Sequence, residues 1–210
     1  QRKAVTDSND RMLAACPGSG KTPVIVSKLV RLIQEVRNTP RAIGCITYTN
    51  TPLYEIEGRT RIHLQPDDDR YFDISTIHSF CLNNIFRPFR HLVPGYKKGF
   101  KVLTQESEEF EGYVLDICKR YGRYNLNFYD FEEFTKLRTD LNGEPVGEVI
   151  QKGSISSAMA KDFWASIQKR GFIDFANIIY QSYRLLRSHP HILDYLSSRY
   201  AWILVDEFQD

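Results

Sequence analysis

Apolar residues in the first third of the chain follow two different spacings. A short apolar run at residues 11–15 precedes a glycine-rich turn, which predicts a buried strand. From Val24 to Val36 the apolar residues return every three or four positions, which predicts a helix. Runs at residues 41–48 and 71–75 predict further strands, with a second helix at 55–62 between them. Strands that alternate with helices favour a parallel sheet, so we expect an α/β fold.

The pattern changes between residues 88 and 199, where aromatic residues are interspersed with charged ones and no clear strand is indicated. Two apolar groups have helical spacing: Phe110, Tyr113, Val114 and Ile117 in one, and Phe175, Ile178, Ile179, Tyr183 and Leu186 in the other. Asp174 stands near the start of the second helix. A last apolar run at 201–205 predicts one more strand. We therefore predict a first domain made of residues 1–87 and 200–210, interrupted by a mainly α-helical insertion at 88–199.

Two polar segments carry no predicted element. Pro66 to Asp69 is a proline followed by three aspartates, which favours a solvated turn. His189-Pro190-His191 is the second such segment, and we expect a solvated linker there rather than a metal site.

Composition narrows the class of protein only slightly. The 210 residues are 42% hydrophobic, which is enough for a sizeable core, and the formal net charge of +2 does not by itself indicate a nucleic-acid partner. The sequence contains no run of about 18 apolar residues and no secretory leader pattern, so we expect no membrane partner. The four cysteines are far apart, which favours reduced thiols in a cytoplasmic protein. Because the chain begins with Gln1 and stops at Asp210, we expect a fragment of a longer protein.

The segment Ala15 to Thr22 carries the first chemical signal. Its pattern is A-x-x-x-x-G-K-T, placed between a predicted strand and a predicted helix. Backbone amides in such a turn approach phosphate oxygens closely, and the helix N-terminus adds partial positive charge. Lys21 can then reach the β- and γ-phosphates, and the Thr22 hydroxyl can bind Mg²⁺. An ordinary glycine-rich turn with a solvated lysine is the alternative.

The second half of such a site is an apolar strand that ends in acids. Residues 203–205 are apolar and lead directly into Asp206 and Glu207. Asp206 is placed to hold Mg²⁺, and Glu207 is placed to polarise an attacking water as a general base. Adjacent acids alone are usually a solvated turn, but the two halves together predict a site for ATP or GTP with Mg²⁺.

Several segments, in order along the chain, resemble the UvrD/Rep family of superfamily 1 DNA helicases. They are Gln1 to Val5 (the Q motif), Ala15 to Thr22 (motif I), Thr47-Tyr48-Thr49-Asn50 with Glu55 (motif Ia), Ser75 to Phe80 (the T-x-H-S-F element), Gly171 to Phe175, and Val205 to Asp210, which is V-D-E-F-Q-D (motif II). The resemblance covers nearly the whole chain and indicates that the nucleotide is ATP.

This resemblance implies a P-loop NTPase fold: a RecA-like parallel sheet, incomplete in this fragment, forming domain 1A, with the helical insertion as domain 1B. It implies movement along single-stranded DNA in the 3′-to-5′ direction and binding of a single strand or a single/double-strand junction. A second RecA-like domain, C-terminal in the same protein, is the implied partner across the ATP, so we expect the fragment alone to be inactive.

The resemblance also implies roles for individual residues. Glu207 and Lys21 would be catalytic, and Thr22 and Asp206 would bind Mg²⁺. The ATP-binding residues would be Gln1, which reads adenine, and Ala15, Cys16, Pro17, Gly18, Ser19, Gly20, Lys21 and Thr22. The DNA path would include Thr47, Tyr48, Asn50, Thr76 and His78, with Tyr48 stacking on a base.

The sequence departs from the family pattern at three places. Ala15 replaces a glycine, and Pro23 stands where an arginine near the nucleotide is common. Thr51-Pro52-Leu53 replaces K-A-A in motif Ia, which removes a positive charge beside the DNA path, and we expect it to delay the following helix.

Two other classes of function remain open. The first is a helicase-like nucleic-acid-binding subunit of a repair or anti-phage defence complex that does not unwind DNA; the altered motif Ia favours it, and the complete set of Lys21, Thr22, Asp206 and Glu207 opposes it. The second is a P-loop kinase or GTPase, which the Q-motif glutamine and the D-E-F-Q-D segment oppose.

Overall fold

A computed structural model describes residues 5–6, 9 and 20–207 of the 210. Its contacts divide the chain into two compact units, Gln1–Phe80 with Pro190–Asp210, and Cys81–His189. The boundaries predicted from the pattern, at 87/88 and 199/200, lie seven and ten residues further along the chain than these.

The first unit is a parallel sheet of three strands with helices. Its strands have the order β2-β1-β7, where β1 is Ala42–Thr47, β2 is Phe72–Thr76 and β7 is Tyr200–Val205. Both pairings are parallel, with Thr47 opposite Thr76 and Ile46 opposite Val205. The helices are α1 (Lys21–Val36), α2 (Asn50–Arg61), a 3-10 helix (Pro66–Tyr71), α3 (Ile77–Phe80) and α10 (Pro190–Arg199). The expected α/β class and the parallel sheet are confirmed.

The core of this unit lies between α1 and the sheet. Leu29 and Ile33, one turn apart on α1, are fully buried with Ile43 of β1 and Ile56 of α2. Each such side chain stabilises the fold by about 1.5–3 kcal/mol relative to exposure. The helical spacing of the sequence therefore identified the buried face of α1 correctly.

The helix α2 begins earlier than the sequence indicated. The expected delay caused by Pro52 is wrong, because α2 starts at Asn50 and Pro52 is its third residue. The first four amides of a helix have no intrahelical acceptor, so a proline there removes no hydrogen bond. Thr49, in an extended conformation, is the N-cap.

Two segments expected to be solvated are structured. Residues 66–69 belong to a 3-10 helix, and Asp68 is buried there in a bidentate ion pair with Arg37, at 2.9 and 2.6 Å. The segment 189–191, expected to be a solvated linker, contains the boundary between the two units, and Pro190 and His191 are exposed; both nevertheless belong to α10, which begins at Pro190. A charge pattern cannot show that a carboxylate has a partner 31 residues away, which is why the sequence did not reveal the role of Asp68.

The strand β7 is joined to the rest of the sheet by a buried tyrosine. The Tyr200 hydroxyl donates to Asp73 Oδ2 of β2 at 2.6 Å, across the intervening strand β1. Gly44 of β1 faces this ring, with the position of an added Cβ 3.5 Å from Tyr200 Cδ1. The small residue therefore leaves room for the ring over the sheet.

The second unit is mainly helical, as expected. After a π-helical segment (Cys81–Phe86) and two short turns, α4 (Arg87–Phe89) and a 3-10 turn (Arg90–Leu92), its main helices are α5 (Glu108–Arg120), α6 (Phe128–Thr135), α7 (Glu148–Gln151), α8 (Ser157–Lys169) and α9 (Phe175–Ser188). Two-residue strands that the pattern did not predict form two pairs, β3 (Lys101–Val102) with β6 (Phe172–Ile173), and β4 (Arg138–Thr139) with β5 (Pro145–Val146).

The start of α9 is fixed by Asp174, as its position in the sequence indicated. Asp174 is the N-cap, and its Oδ1 accepts a hydrogen bond from the Asn177 amide at 2.9 Å. Its Oδ2 accepts from Trp164 Nε1 of α8 at 2.7 Å. Burial raises the pKa of Asp174, and these donors oppose that shift. The carboxyl group therefore joins α8 to α9 within the insertion.

No helix within the described ranges is both long enough and apolar enough to cross a membrane.

Candidate functional site

Part of the expected nucleotide site lies outside the described residues. This applies to Gln1, Ala15, Cys16, Pro17, Gly18 and Ser19, and to the strand expected at residues 11–15. The described part of the expected site consists of Gly20, the first residues of α1 and the end of β7.

Gly20, Lys21 and Thr22 form the start of α1. Gly20 is its N-cap and has φ = 83°, a left-handed conformation that glycine adopts without steric cost. Lys21 and Thr22 are the first two helical residues, and both are partly buried. Their amides are among those that a helix leaves unpaired, which is the arrangement that favours anions at helix N-termini.

Asp206 and Glu207 follow β7 at the carboxyl edge of the sheet. The Asp206 amide donates to the Ile46 carbonyl at 2.8 Å, which extends the pairing of β7 with β1 by one residue. The Asp206 side chain is buried, whereas Glu207 is partly exposed. Glu207 has φ = 53°, which is uncommon for a residue with a Cβ and turns the chain away from the strand direction at this point.

The two halves of the site meet in one contact. Lys21 Nζ donates to Glu207 Oε1 at 2.8 Å, joining residues 186 positions apart in the sequence. The lysine and glutamate side chains are 26% and 30% exposed. The structure thus brings together the two residues that the sequence assigned to catalysis.

The Asp206 carboxyl lies in an acidic, desolvated environment. Burial raises its pKa, and the negative charge of Glu207 raises it further, while Lys21 acts in the opposite direction. Glu55 of α2 adds to the upward shift, so a third carboxylate is close enough to act on the site. The sequence had placed Glu55 only as part of motif Ia; its influence on Asp206 depends on how α2 packs and was not predicted.

These residues fit a magnesium ion by their chemistry. Mg²⁺ prefers oxygen ligands and keeps several waters, so it needs only one or two protein groups together with phosphate oxygens. The Thr22 hydroxyl and the Asp206 carboxylate are groups of that kind. Within the described part of the chain no cluster of three or more metal-binding side chains occurs.

The expected DNA-path residues lie at the same edge of the sheet. Because β1 and β2 are parallel and Thr47 is opposite Thr76, both strands end side by side. Tyr48 follows β1 and is 47% exposed, and Asn50 is exposed at the start of α2. His78 in α3 is partly buried.

The two threonines of this group make local hydrogen bonds. Thr47 is only 1% exposed, and its hydroxyl donates to the Thr49 carbonyl at 2.9 Å. Thr76 Oγ1 donates to Ser79 Oγ at 3.1 Å and accepts from the Ser79 amide at 3.2 Å. Both side chains therefore shape the turns that leave β1 and β2.

The Lys21–Glu207 pair and the buried Asp206 lie together at the carboxyl edge of a parallel α/β sheet, the edge at which such sheets bind ligands. The family model described as the UvrD/REP helicase N-terminal domain matches residues 1–210. The chain belongs to this family.

Individual relatives agree with this assignment. The chain is 27% identical to DNA helicase II of Salmonella typhimurium, 27% identical to the ATP-dependent DNA helicase Rep of Buchnera aphidicola and 28% identical to the ATP-dependent DNA helicase PcrA of Bacillus subtilis. Each match covers all of this chain but only 29%, 33% and 29% of the respective relative. The chain therefore spans about a third of the length of these relatives.

Proposed function

We propose that this chain is the ATP-binding part of a DNA translocase and helicase that couples ATP hydrolysis to movement along single-stranded DNA. The observation that carries the proposal is the 2.8 Å contact between Lys21 and Glu207, in a chain whose family consists of helicase N-terminal domains. Its relatives are named ATP-dependent DNA helicases, and the proposal extends that activity to the protein that contains this chain.

The hydrolytic site would use the residues of the carboxyl edge. Bound Mg²⁺ would neutralise charge that develops on the phosphates during hydrolysis. Asp206 and Thr22 would hold this ion, and the buried position of Asp206 keeps its carboxylate fixed. Gly20 and the residues before it would cradle the phosphates with their amides, and Gln1 would read the adenine.

Lys21 and Glu207 would exchange partners during the cycle. The ion pair holds the glutamate beside the phosphate-binding lysine before a nucleotide arrives. Lys21 turning toward the phosphates would release Glu207, whose carboxylate would then accept a proton from the attacking water. The contact with Lys21 supports the proposal that Glu207 acts as the general base.

The DNA path would follow the ends of β1 and β2. Tyr48 offers an exposed ring for base stacking, which tolerates any sequence because every base has a π-face. Asn50 and His78 would contact the backbone of the strand. Thr47 and Thr76, whose hydroxyls are engaged locally, would position these groups.

We also propose that the first unit is a RecA-like domain 1A and the second a helical domain 1B. A second RecA-like domain elsewhere in the protein would close on the ATP and supply arginines to the γ-phosphate, a contribution worth about 10³–10⁵ in rate in other NTPases. The isolated chain is therefore expected to hydrolyse ATP barely, if at all.

One observation favours a second candidate, a helicase-like binding subunit that does not translocate. The first turn of α2 carries Thr51-Pro52-Leu53, so the positive charge expected beside the DNA path in motif Ia is missing. A strand bound with fewer ionic contacts would be held less tightly.

Streptavidin displacement from biotinylated oligonucleotides separates the two candidates. The full-length protein is expected to displace streptavidin from the 5′ end of a single strand, with ATP, and not from the 3′ end, because movement is 3′-to-5′. Glu207→Gln should abolish displacement, whereas Glu57→Gln, at a partly exposed glutamate paired with Arg61, should not. ATP hydrolysis without displacement from either end would favour the binding subunit.

A further inference from the structure

A cavity of about 360 Å³ lies at the opposite edge of the sheet from the candidate functional site. It is lined by Asn38, Thr39, Pro40, Arg41, Arg70 and Tyr71. Arg41 directly precedes β1 and Tyr71 directly precedes β2, so the cavity is at the amino ends of these parallel strands. The length of β1, about 17 Å at 3.3 Å per residue, separates it from the carboxyl edge.

The Arg41 guanidinium is held in place by backbone carbonyls. Its Nη2 donates to the carbonyl oxygens of Ser197 and Tyr200, at 2.7 and 3.0 Å. These neutral acceptors orient the group without cancelling its charge. The remaining N–H groups of the planar fork therefore stay available for an anion.

The Arg70 guanidinium is placed by an aromatic ring. Its central carbon lies 4.7 Å from the centroid of the Tyr71 ring. The ring is buried, and the Tyr71 hydroxyl accepts a hydrogen bond from the Asn38 amide at 2.9 Å. Tyr71 thus joins the two chain segments that form the cavity and supports Arg70 at its wall.

Four other arginines of the first unit have carboxylate partners. Arg31 pairs with Glu35, Arg37 with Asp68, Arg59 with Glu55, and Arg61 with Glu57 and Asp69. Within residues 20–207 neither Arg41 nor Arg70 forms an ion pair with a carboxylate. Arg70 lies close enough to Asp68 to lower the pKa of that carboxyl group, but Asp68 already has Arg37 as its direct partner. Arg41 and Arg70 therefore line the same cavity without a carboxylate paired directly to either.

We propose that this cavity binds a phosphate group. Two guanidinium charges balance the charge of a phosphomonoester or pyrophosphate, which is close to −2 or more negative at neutral pH, whereas a single carboxylate would leave one positive charge unbalanced. The donors come from two chain segments, and a tetrahedral phosphate offers acceptor oxygens in more than one plane. Its source is either a free phosphorylated molecule or two neighbouring phosphodiesters, each of charge −1, in the backbone of a nucleic-acid strand.

Calorimetric titration with inorganic pyrophosphate tests the proposal in the full-length protein. The titration uses a Lys21→Ala background, which weakens phosphate binding at the carboxyl edge. Adding Arg41→Gln and Arg70→Gln should weaken pyrophosphate binding by about tenfold or more, since each guanidinium supplies charged hydrogen bonds to the anion. The matched control, Arg59→Gln with Arg120→Gln, removes two exposed arginines that have carboxylate partners and should leave binding unchanged.

Three further measurements define the outcome. Arg70→Gln alone, which removes no backbone hydrogen bond of Arg41, should weaken binding even if the double variant folds poorly. If the natural source is a strand, the double variant should lower the salt dependence of single-strand binding by about 0.7 in log–log slope for each phosphate that is no longer neutralised. If that slope is unchanged while pyrophosphate binding falls, the source is a free phosphorylated molecule.

Pyrophosphate binding that is unaffected by Arg70→Gln and by the double variant would overturn the proposal. Equally tight binding of malonate, a dicarboxylate of charge −2, would also overturn it, because it would show a general anion site. Both results are independent of ATP hydrolysis at the carboxyl edge, so the failure of one proposal leaves the other testable.

Discussion

The contact between Lys21 and Glu207 is an ion pair of modest strength. Both side chains are about a quarter to a third exposed, and pairs with this degree of exposure contribute roughly 0–1 kcal/mol. A weak pair suits the proposed role, since Lys21 must leave Glu207 when phosphate oxygens become available. A strongly buried pair would oppose that exchange.

Asp206 is a residue for which function and stability are expected to conflict. Burial and the nearby Glu207 raise its pKa, so its ionised form is less favourable in the folded protein than in the unfolded chain. Asp206→Asn should therefore raise the free energy of unfolding at neutral pH in the absence of Mg²⁺ and ATP. The same substitution should abolish Mg²⁺-dependent ATP hydrolysis, because asparagine offers no carboxylate to hold the ion.

The pH dependence of this gain follows from the direction of the pKa shift. Above the raised folded-state pKa, Asp206 is ionised in both the folded and the unfolded state. The increase in the free energy of unfolding caused by Asp206→Asn then has its full value. Below the unfolded-state pKa of about 3.9, Asp206 is protonated in both states and the gain vanishes. Thermal unfolding measured across this pH range tests the prediction, with Asp194→Asn as an exposed control. An Asp206→Asn variant that is less stable than the native protein at neutral pH would contradict it.

At the scale of elements, the spacing of apolar residues identified the main helix and the three strands of the first unit. The apolar spacing from Val24 to Val36 matches α1, and the runs predicted at 41–48, 71–75 and 201–205 match β1, β2 and β7 to within a residue or two. These elements are recognisable because their apolar side chains pack against the core of the unit: α1 buries one face, β1 is buried almost throughout, and β2 and β7 are partly buried.

The elements that the sequence did not reveal depend on contacts between distant residues. The 3-10 helix holding Asp68 depends on Arg37, and the two-residue strands of the second unit are too short to show alternation. The candidate site likewise contains residues that a local motif reveals and an effect that it does not. Lys21, Asp206 and Glu207 could be found from local motifs. The effect of Glu55 on Asp206 could not, because it arises from the packing of α2.

The connection from β1 to α2 provides a comparison of two exposed tyrosines. Tyr48 lies at the end of the strand, on the proposed DNA path, and Tyr54 is 69% exposed one turn into α2. Tyr48→Ala should weaken single-strand binding by about 1–3 kcal/mol, since a base would no longer stack on the ring. Tyr54→Ala should have little effect. Fluorescence anisotropy with a labelled oligonucleotide would measure both, and equal weakening by the two variants would contradict a specific role for Tyr48.

At the scale of the whole molecule, the described sheet has an open side. Ile203 and Val205 of β7 are 42% and 45% exposed, and no described strand lies beyond β7 in the order β2-β1-β7. Because residues two apart on a strand point to the same face of a sheet, these side chains show that one face of β7 is left uncovered by the described residues.

The central claim is that the Lys21–Glu207 site hydrolyses ATP in response to a DNA strand. The most direct test is the rate of ATP hydrolysis by the longest native form of the protein, with and without single-stranded DNA. Glu207→Gln is compared with Glu57→Gln. We expect single-stranded DNA to increase the rate of ATP hydrolysis in the native protein and in Glu57→Gln, and not in Glu207→Gln. ATP binding without hydrolysis in the native protein would contradict the claim and assign the site a structural or switching role.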